Sequence, residues 1–154
     1  MSLLCPIDFR YGRPKMKAVF EEATRLQRLL DVEAALARAE AKVGLIPREA
    51  AAEIAKKAST KSVTVERVEA LEKETRHDLM AVVLALTEAC AGDAGNYVHL
   101  GATSNDILDT ATALQLRDAI RFLQGDLDDL VGVLAALATK HKKTIMLGRT
   151  HGQA

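Results

Sequence analysis

The residues from Gly148 to Gly152 set an imidazole, His151, beside the hydroxyl of Thr150 and the guanidinium of Arg149, with glycines on either flank. Histidine titrates near neutrality and gives or takes a proton, and flanking glycines let backbone approach a ligand closely. Chain ends fray unless tied down, so this cluster is expected to need other chain segments to complete a site. Three further polar clusters have spacings suited to chemistry. Thr75-Arg76-His77-Asp78 offers an anion-binding guanidinium, an imidazole for a substrate oxygen and a carboxylate to fix the imidazole tautomer. Its purely structural reading makes Asp78 a helix N-cap and His77 a solvated turn residue. Thr103-Ser104-Asn105-Asp106 fits a capping box, with acidic residues at the positive end of a helix dipole. The same hydroxyls and free amides also make a site for a carboxylate or phosphate. Arg10-Tyr11-Gly12-Arg13 can hold a phosphate through charge and a phenol hydroxyl, as can many ordinary turns. His99, in the loop leading to Thr103, and His141, in a lysine-flanked helix end, have weaker cases.

The elements that must position these groups are helical. Pro14 opens a helix in which Val19, Phe20, Ala23, Leu26, Leu30, Ala34 and Ala37 recur at threes and fours up to a stop at Gly44. Further helices are expected over Arg48 to Ala58, Val65 to Glu74 and Asp78 to Ala91, with Gly92 to Gly101 as a loop. Beyond it, Ala113, Leu116, Ile120, Leu123, Leu127, Leu130, Leu134 and Leu137 form a seam of 3.5-residue period. Counted from Asp106 to Lys143, that helix is about 57 Å long. One small domain cannot cover it, so it is expected to pack against helices of other chains.

Composition narrows the class. The 154 residues are 49% apolar, and 21 basic residues balance 21 acidic ones. That balance points to neither a nucleic-acid nor a membrane partner. Apolar runs such as Leu79 to Leu86 fall far short of a membrane span, and the N-terminus lacks a signal pattern. Cys5 and Cys90 stand apart without metal-ligand spacing, as expected of thiols in a reducing, cytoplasmic setting. There is no phosphate-cradling glycine loop, nucleotide fingerprint or HExxH metal motif, and a Ser104-His77-Asp78 hydrolase lacks a nucleophile elbow.

Taken together, Arg10-Tyr11, Thr75-Arg76-His77-Asp78, the stretch from Gly101 to Ala111 and the GRTHGQA segment resemble, in their order, the fumarase/aspartase superfamily and within it the adenylosuccinate lyase family. The resemblance runs from Pro6 to Ala154. It implies an all-α fold with a small N-terminal helical domain, residues 1–102, and the first long helix of a central helical bundle beginning at residue 103. It also implies elimination of fumarate from a succinylated nucleotide, without metal or organic cofactor, in a homotetramer. Arg10 and Tyr11 would then bind phosphate, Arg76, His77 and Asp78 would contact and orient the substrate, and Thr103 and Ser104 would hold the succinyl carboxylate. His151 would be the general acid, supported by Thr150. The family's Ser-Ser-x-Met-Pro-x-Lys-x-Asn loop, whose serine is its proposed base, does not occur in these residues, so the chain alone is expected to be inert. Argininosuccinate lyase and carboxymuconate cycloisomerase are the nearest alternatives within the superfamily. Outside catalysis, the alternative is a helical interaction module that kept the scaffold.

Overall fold

The computed structural model describes residues 11–153; Arg10 and Cys5 lie outside them. The order is α1 (Pro14–Val19), α2 (Glu22–Lys42), α3 (Arg48–Lys57), α4 (Val65–Thr75), α5 (Asp78–Ala89), a 3-10 helix (Gly92–Tyr97) and α6 (Ser104–His141). Among the described residues there is no strand, only an isolated antiparallel bridge between Thr150 and Gln153. The molecule is all-α, as the sequence implies. It divides into two compact units, Met1–Ala119 and Ile120–Ala154.

In the first unit, α2 and α3 pack together and α4 packs on α5. The core joins Leu26, Leu29 and Leu30 of α2 to Ile54 of α3, Leu71 of α4, Leu79, Val82 and Leu86 of α5, and Ile107 of α6. α5, DLMAVVLALTEA, is apolar almost all round because it is covered on most sides. Local chemistry ends each helix where the chain must turn. Gly44 takes φ +81, with Leu45 N–H bonded to Glu40 O at 2.9 Å and Gly44 N–H to Ala41 O at 3.3 Å. That is a Schellman end, which a left-handed glycine permits. The Thr64 side chain caps α4 by accepting from Arg67 N–H at 3.2 Å.

Two expectations need correction. The single helix expected from Pro14 to Gly44 is broken after Val19, and Glu21 is extended at φ −66, ψ 148. No glycine or proline marks this break; a distant side chain supports it. Buried Gln115 of α6 donates from Nε2 to Val19 O at 2.7 Å, satisfying a carbonyl released by the interruption. The expected loop from Gly92 to Gly101 contains the 3-10 helix, whose Gly95 sits so close to Thr87 that a Cβ there would lie 2.9 Å from the Thr87 backbone oxygen.

α6 spans 38 residues, about 57 Å. Its buried residues are Ile107, Ala111, Gln115 and Ala119, all in the first unit. Arg28 of α2 bonds Asp118 at 2.7 Å and Asp31 at 2.9 Å, a further tie between α2 and this part of α6. In the second unit the seam residues Leu123, Leu127, Leu130, Leu134 and Leu137 remain about half exposed. No helix among the described residues is long and apolar enough to cross a membrane.

Candidate functional site

The Thr75-Arg76-His77-Asp78 cluster is a tight connection between α4 and α5, and its geometry departs from both sequence readings. The Thr75 hydroxyl donates to His77 O at 3.2 Å and accepts from His77 N–H at 3.3 Å, fixing the turn from within. Arg76 is the left-handed end of α4, at φ 54, ψ 32, a conformation that costs a side-chain-bearing residue of order 1 kcal/mol. The N-cap of α5 is His77, not Asp78: its Nδ1 accepts from Met80 N–H at 3.3 Å. An accepting Nδ1 carries no proton, so the helix cap selects the tautomer and places the proton on Nε2. Asp78 does not perform that task, since its Oδ1 lies 3.6 Å from His77 Nδ1 and accepts instead from Leu79 N–H at 2.7 Å. Its other oxygen meets Arg25 of α2 at 3.4 Å. Arg76 and His77 are exposed, and the turn presents both to solvent.

At the start of α6, one half of the expected capping box is present. The Asp106 carboxylate accepts from Thr103 N–H at 2.9 Å, while Asp106 N–H goes to the Thr103 carbonyl at 3.0 Å. Among the described residues, the hydroxyls of Thr103 and Ser104 enter no hydrogen bond. They stand beside the positive end of a long helix, an arrangement suited to holding a carboxylate. Asp106 has the opposite sign and, being engaged with the Thr103 amide, fills the cap itself. Tyr11 is exposed in the segment before α1.

The second unit holds Thr150 and His151. Thr150 and Gln153 exchange backbone hydrogen bonds at 2.9 and 3.0 Å, and the two residues between them have positive φ, 51 for His151 and 77 for Gly152. This is a primed turn, for which glycine is well suited and histidine is not. The segment therefore folds back on itself in a two-residue turn. The Thr150 hydroxyl lies 2.9 Å from His151 Nδ1, leaving Nε2 as the outward nitrogen. Among the described residues, the His141 ring in the last turn of α6 bonds only to Thr144, at 3.2 Å.

One pair escaped the sequence reading. Glu33, in the middle of α2, is 1% exposed and its Oε1 lies 2.7 Å from His99 Nδ1. Burial raises the Glu33 carboxyl above its ordinary range; the hydrogen bond and charge of His99 oppose this, and Glu40 adds to it. A signal was present: Glu33 interrupts the apolar stripe Leu26, Leu29, Leu30, Ala34, Ala37, and a carboxylate on a core-facing stripe needs a partner. Burial likewise raises the Cys90 thiol, with the Glu53 carboxylate adding to the effect and Lys57 opposing it. Among the described residues no cluster of acidic, histidine or cysteine side chains could hold a metal ion.

The chain is 54% identical over 148 residues to adenylosuccinate lyase of Methanocaldococcus jannaschii and 56% identical over 148 residues to that of Pyrococcus abyssi, in both cases over 96% of its own length. It spans 32% and 33% of those proteins, about a third of the length of the curated relatives it matches. Among solved structures it is similar to the 3-carboxy-cis,cis-muconate lactonizing enzyme from Pseudomonas putida. That similarity has a TM-score of 0.87 and 38% identity, covering 96% of this chain and 34% of that one. Residues 8–154 match the family described as Lyase, so that nearly the whole chain is accounted for and the chain belongs to that lyase family.

Proposed function

We propose that these residues are the N-terminal part of an adenylosuccinate lyase, residues 1–102 forming its first domain and 103–154 opening its helical bundle. The observation that carries this reading is the identity of more than half of the residues to archaeal adenylosuccinate lyases over 96% of the chain. The muconate-lactonizing neighbour has the same fold at lower identity and supports the scaffold without choosing the substrate.

The roles follow from the chemistry. Loss of a proton beside a carboxylate builds a doubly charged aci-carboxylate, and the hydroxyls of Thr103 and Ser104 at the α6 terminus suit that growing charge. The carbon–nitrogen bond then breaks, its electron pair leaving with nitrogen, and fumarate forms. His151, steadied by Thr150 at Nδ1, protonates the departing nitrogen from Nε2. Arg76, His77 and Asp78 contact and orient the substrate, while Arg10 and Tyr11 take the phosphate. The base that removes the carbon-bound proton belongs to a part of the enzyme other than these residues. No metal or organic cofactor takes part. The enzyme is a cytoplasmic homotetramer.

The test is the fall in ultraviolet absorbance of adenylosuccinate with the full-length protein, with turnover of roughly 1 s⁻¹ or faster expected. Absence of turnover at saturating substrate overturns the reading. Replacing His151 by Gln keeps size and hydrogen bonding but supplies no proton of suitable pKa, so turnover falls roughly 10²-fold or more. Near-normal turnover of that variant at an unchanged melting temperature removes His151 from the role of acid.

A further inference from the structure

The Glu33–His99 pair joins the centre of α2 to a turn 66 residues further along the chain. His99 holds the left-handed conformation at φ 61, and its carbonyl accepts from Ala102 N–H at 3.5 Å, a turn that ends directly before Thr103 and Ser104. The imidazole is mostly buried, at 15% exposure. Among the described residues, Glu33 Oε2 is buried without a partner. Packing alone gives no reason for this arrangement, because an apolar residue at position 33 would continue the stripe of α2 and leave no orphaned oxygen. A carboxylate at this distance holds a neutral imidazole in one tautomer, with the proton on Nδ1 and the lone pair on Nε2.

We propose that Glu33 is a positioning residue: acting through His99, it fixes the imidazole with its proton on Nδ1 and pins the turn that sets the hydroxyls of Thr103 and Ser104. The proposal rests on the reading of Thr103 and Ser104 as substrate-binding groups. It extends the site inward by one layer, from the hydroxyls through the turn to a side chain in the core. Glu33 touches no substrate; its effect on turnover passes through the geometry it enforces.

The test has two arms, and the first needs no substrate. In the 154-residue chain, nitrogen-15 NMR of the His99 side chain is expected to show a protonated Nδ1 and an unprotonated Nε2; the opposite tautomer overturns the proposal. In the second arm, Glu33→Met removes the acceptor while keeping the length of the side chain. In the full-length protein, kcat for adenylosuccinate is expected to fall roughly 10–100-fold, the cost of misplacing groups that must be held in position. KM is expected to stay within about threefold, with no loss in melting temperature. Glu33→Gln, which keeps an acceptor oxygen, is expected to recover part of the loss. Wild-type kcat in a folded Glu33→Met variant overturns the proposal. Should that variant fail to fold, the wild-type tautomer decides. If the enzyme does not act on adenylosuccinate, that failure appears only in the second arm and leaves the tautomer result standing.

Discussion

Two stretches of α6 put apolar side chains to opposite uses. From Ser104 to Ala119 the buried side is made of Ile107, Ala111, Gln115 and Ala119, of which only Ile107 is large and apolar. From Ile120 to His141 the helix carries Leu123, Leu127, Leu130, Leu134 and Leu137, and none of them is buried. The difference is one of approach distance. Alanines let α6 lie close against its neighbours, so a small side chain suffices and a glutamine can reach a backbone carbonyl. The leucine seam needs a second surface at a greater distance, and within its unit none covers it. Hydrophobicity along this helix therefore identifies the exposed face better than the face already packed.

Substitutions test that contrast, and the largest effect is expected on the seam. Changing Leu127 and Leu134 together to Lys is expected to weaken self-association by about 10²-fold or more, since each covered leucine contributes about 1.5–3 kcal/mol. Sedimentation at tens of micromolar, an order-of-magnitude choice for a modest interface, reads this directly. A clean monomer for the unaltered chain breaks the contrast.

On the packed stretch, Ile107→Ala is expected to destabilise the first unit by about 2–5 kcal/mol in urea unfolding. Leu123→Ala, measured in the dissociated chain, is expected to stay within about 0.5 kcal/mol. Comparable losses at the two positions would mean that the leucines are already buried in solution.

Gln115→Met keeps volume but strands the Val19 carbonyl, and the expected cost is about 1–3 kcal/mol. A neutral result shows that the break after α1 does not depend on this bond. A small effect of opposite sign is expected at Gly132, where an added Cβ meets nothing within 4 Å. Gly132→Ala is then expected to stabilise the helix by about 0.5–1 kcal/mol. A lower melting temperature would instead reveal a backbone lying close against this face in the assembled protein.

The sequence made most helices legible because their ends carry local chemistry: Gly44 stops one, Thr64 caps another, and the Thr75 to Asp78 cluster separates α4 from α5. The break at Phe20 was hidden because apolar spacing runs through it and its support comes from Gln115, 96 residues away. In the candidate site, residue types were readable but partners were not. The expected tautomer partner of His77 was its neighbour Asp78, whereas the structure gives that task to a helix amide and turns Asp78 toward Arg25. Glu33 and His99 were each visible in the sequence, yet only the fold brings them together. Local caps obey short-range stereochemistry, while the wiring of polar side chains is fixed by tertiary packing.

The left-handed backbone at Arg76 has a consequence for anyone seeking a more robust version of this protein. A library screened on heat resistance alone would be drawn toward glycine or asparagine at that position, because both adopt the conformation more easily. Each such winner would lose the guanidinium proposed to meet the nucleotide. Position 76 is thus a place where selection for durability and selection for turnover would diverge, and the two screens run side by side on one library would locate the substrate without a ligand ever being seen.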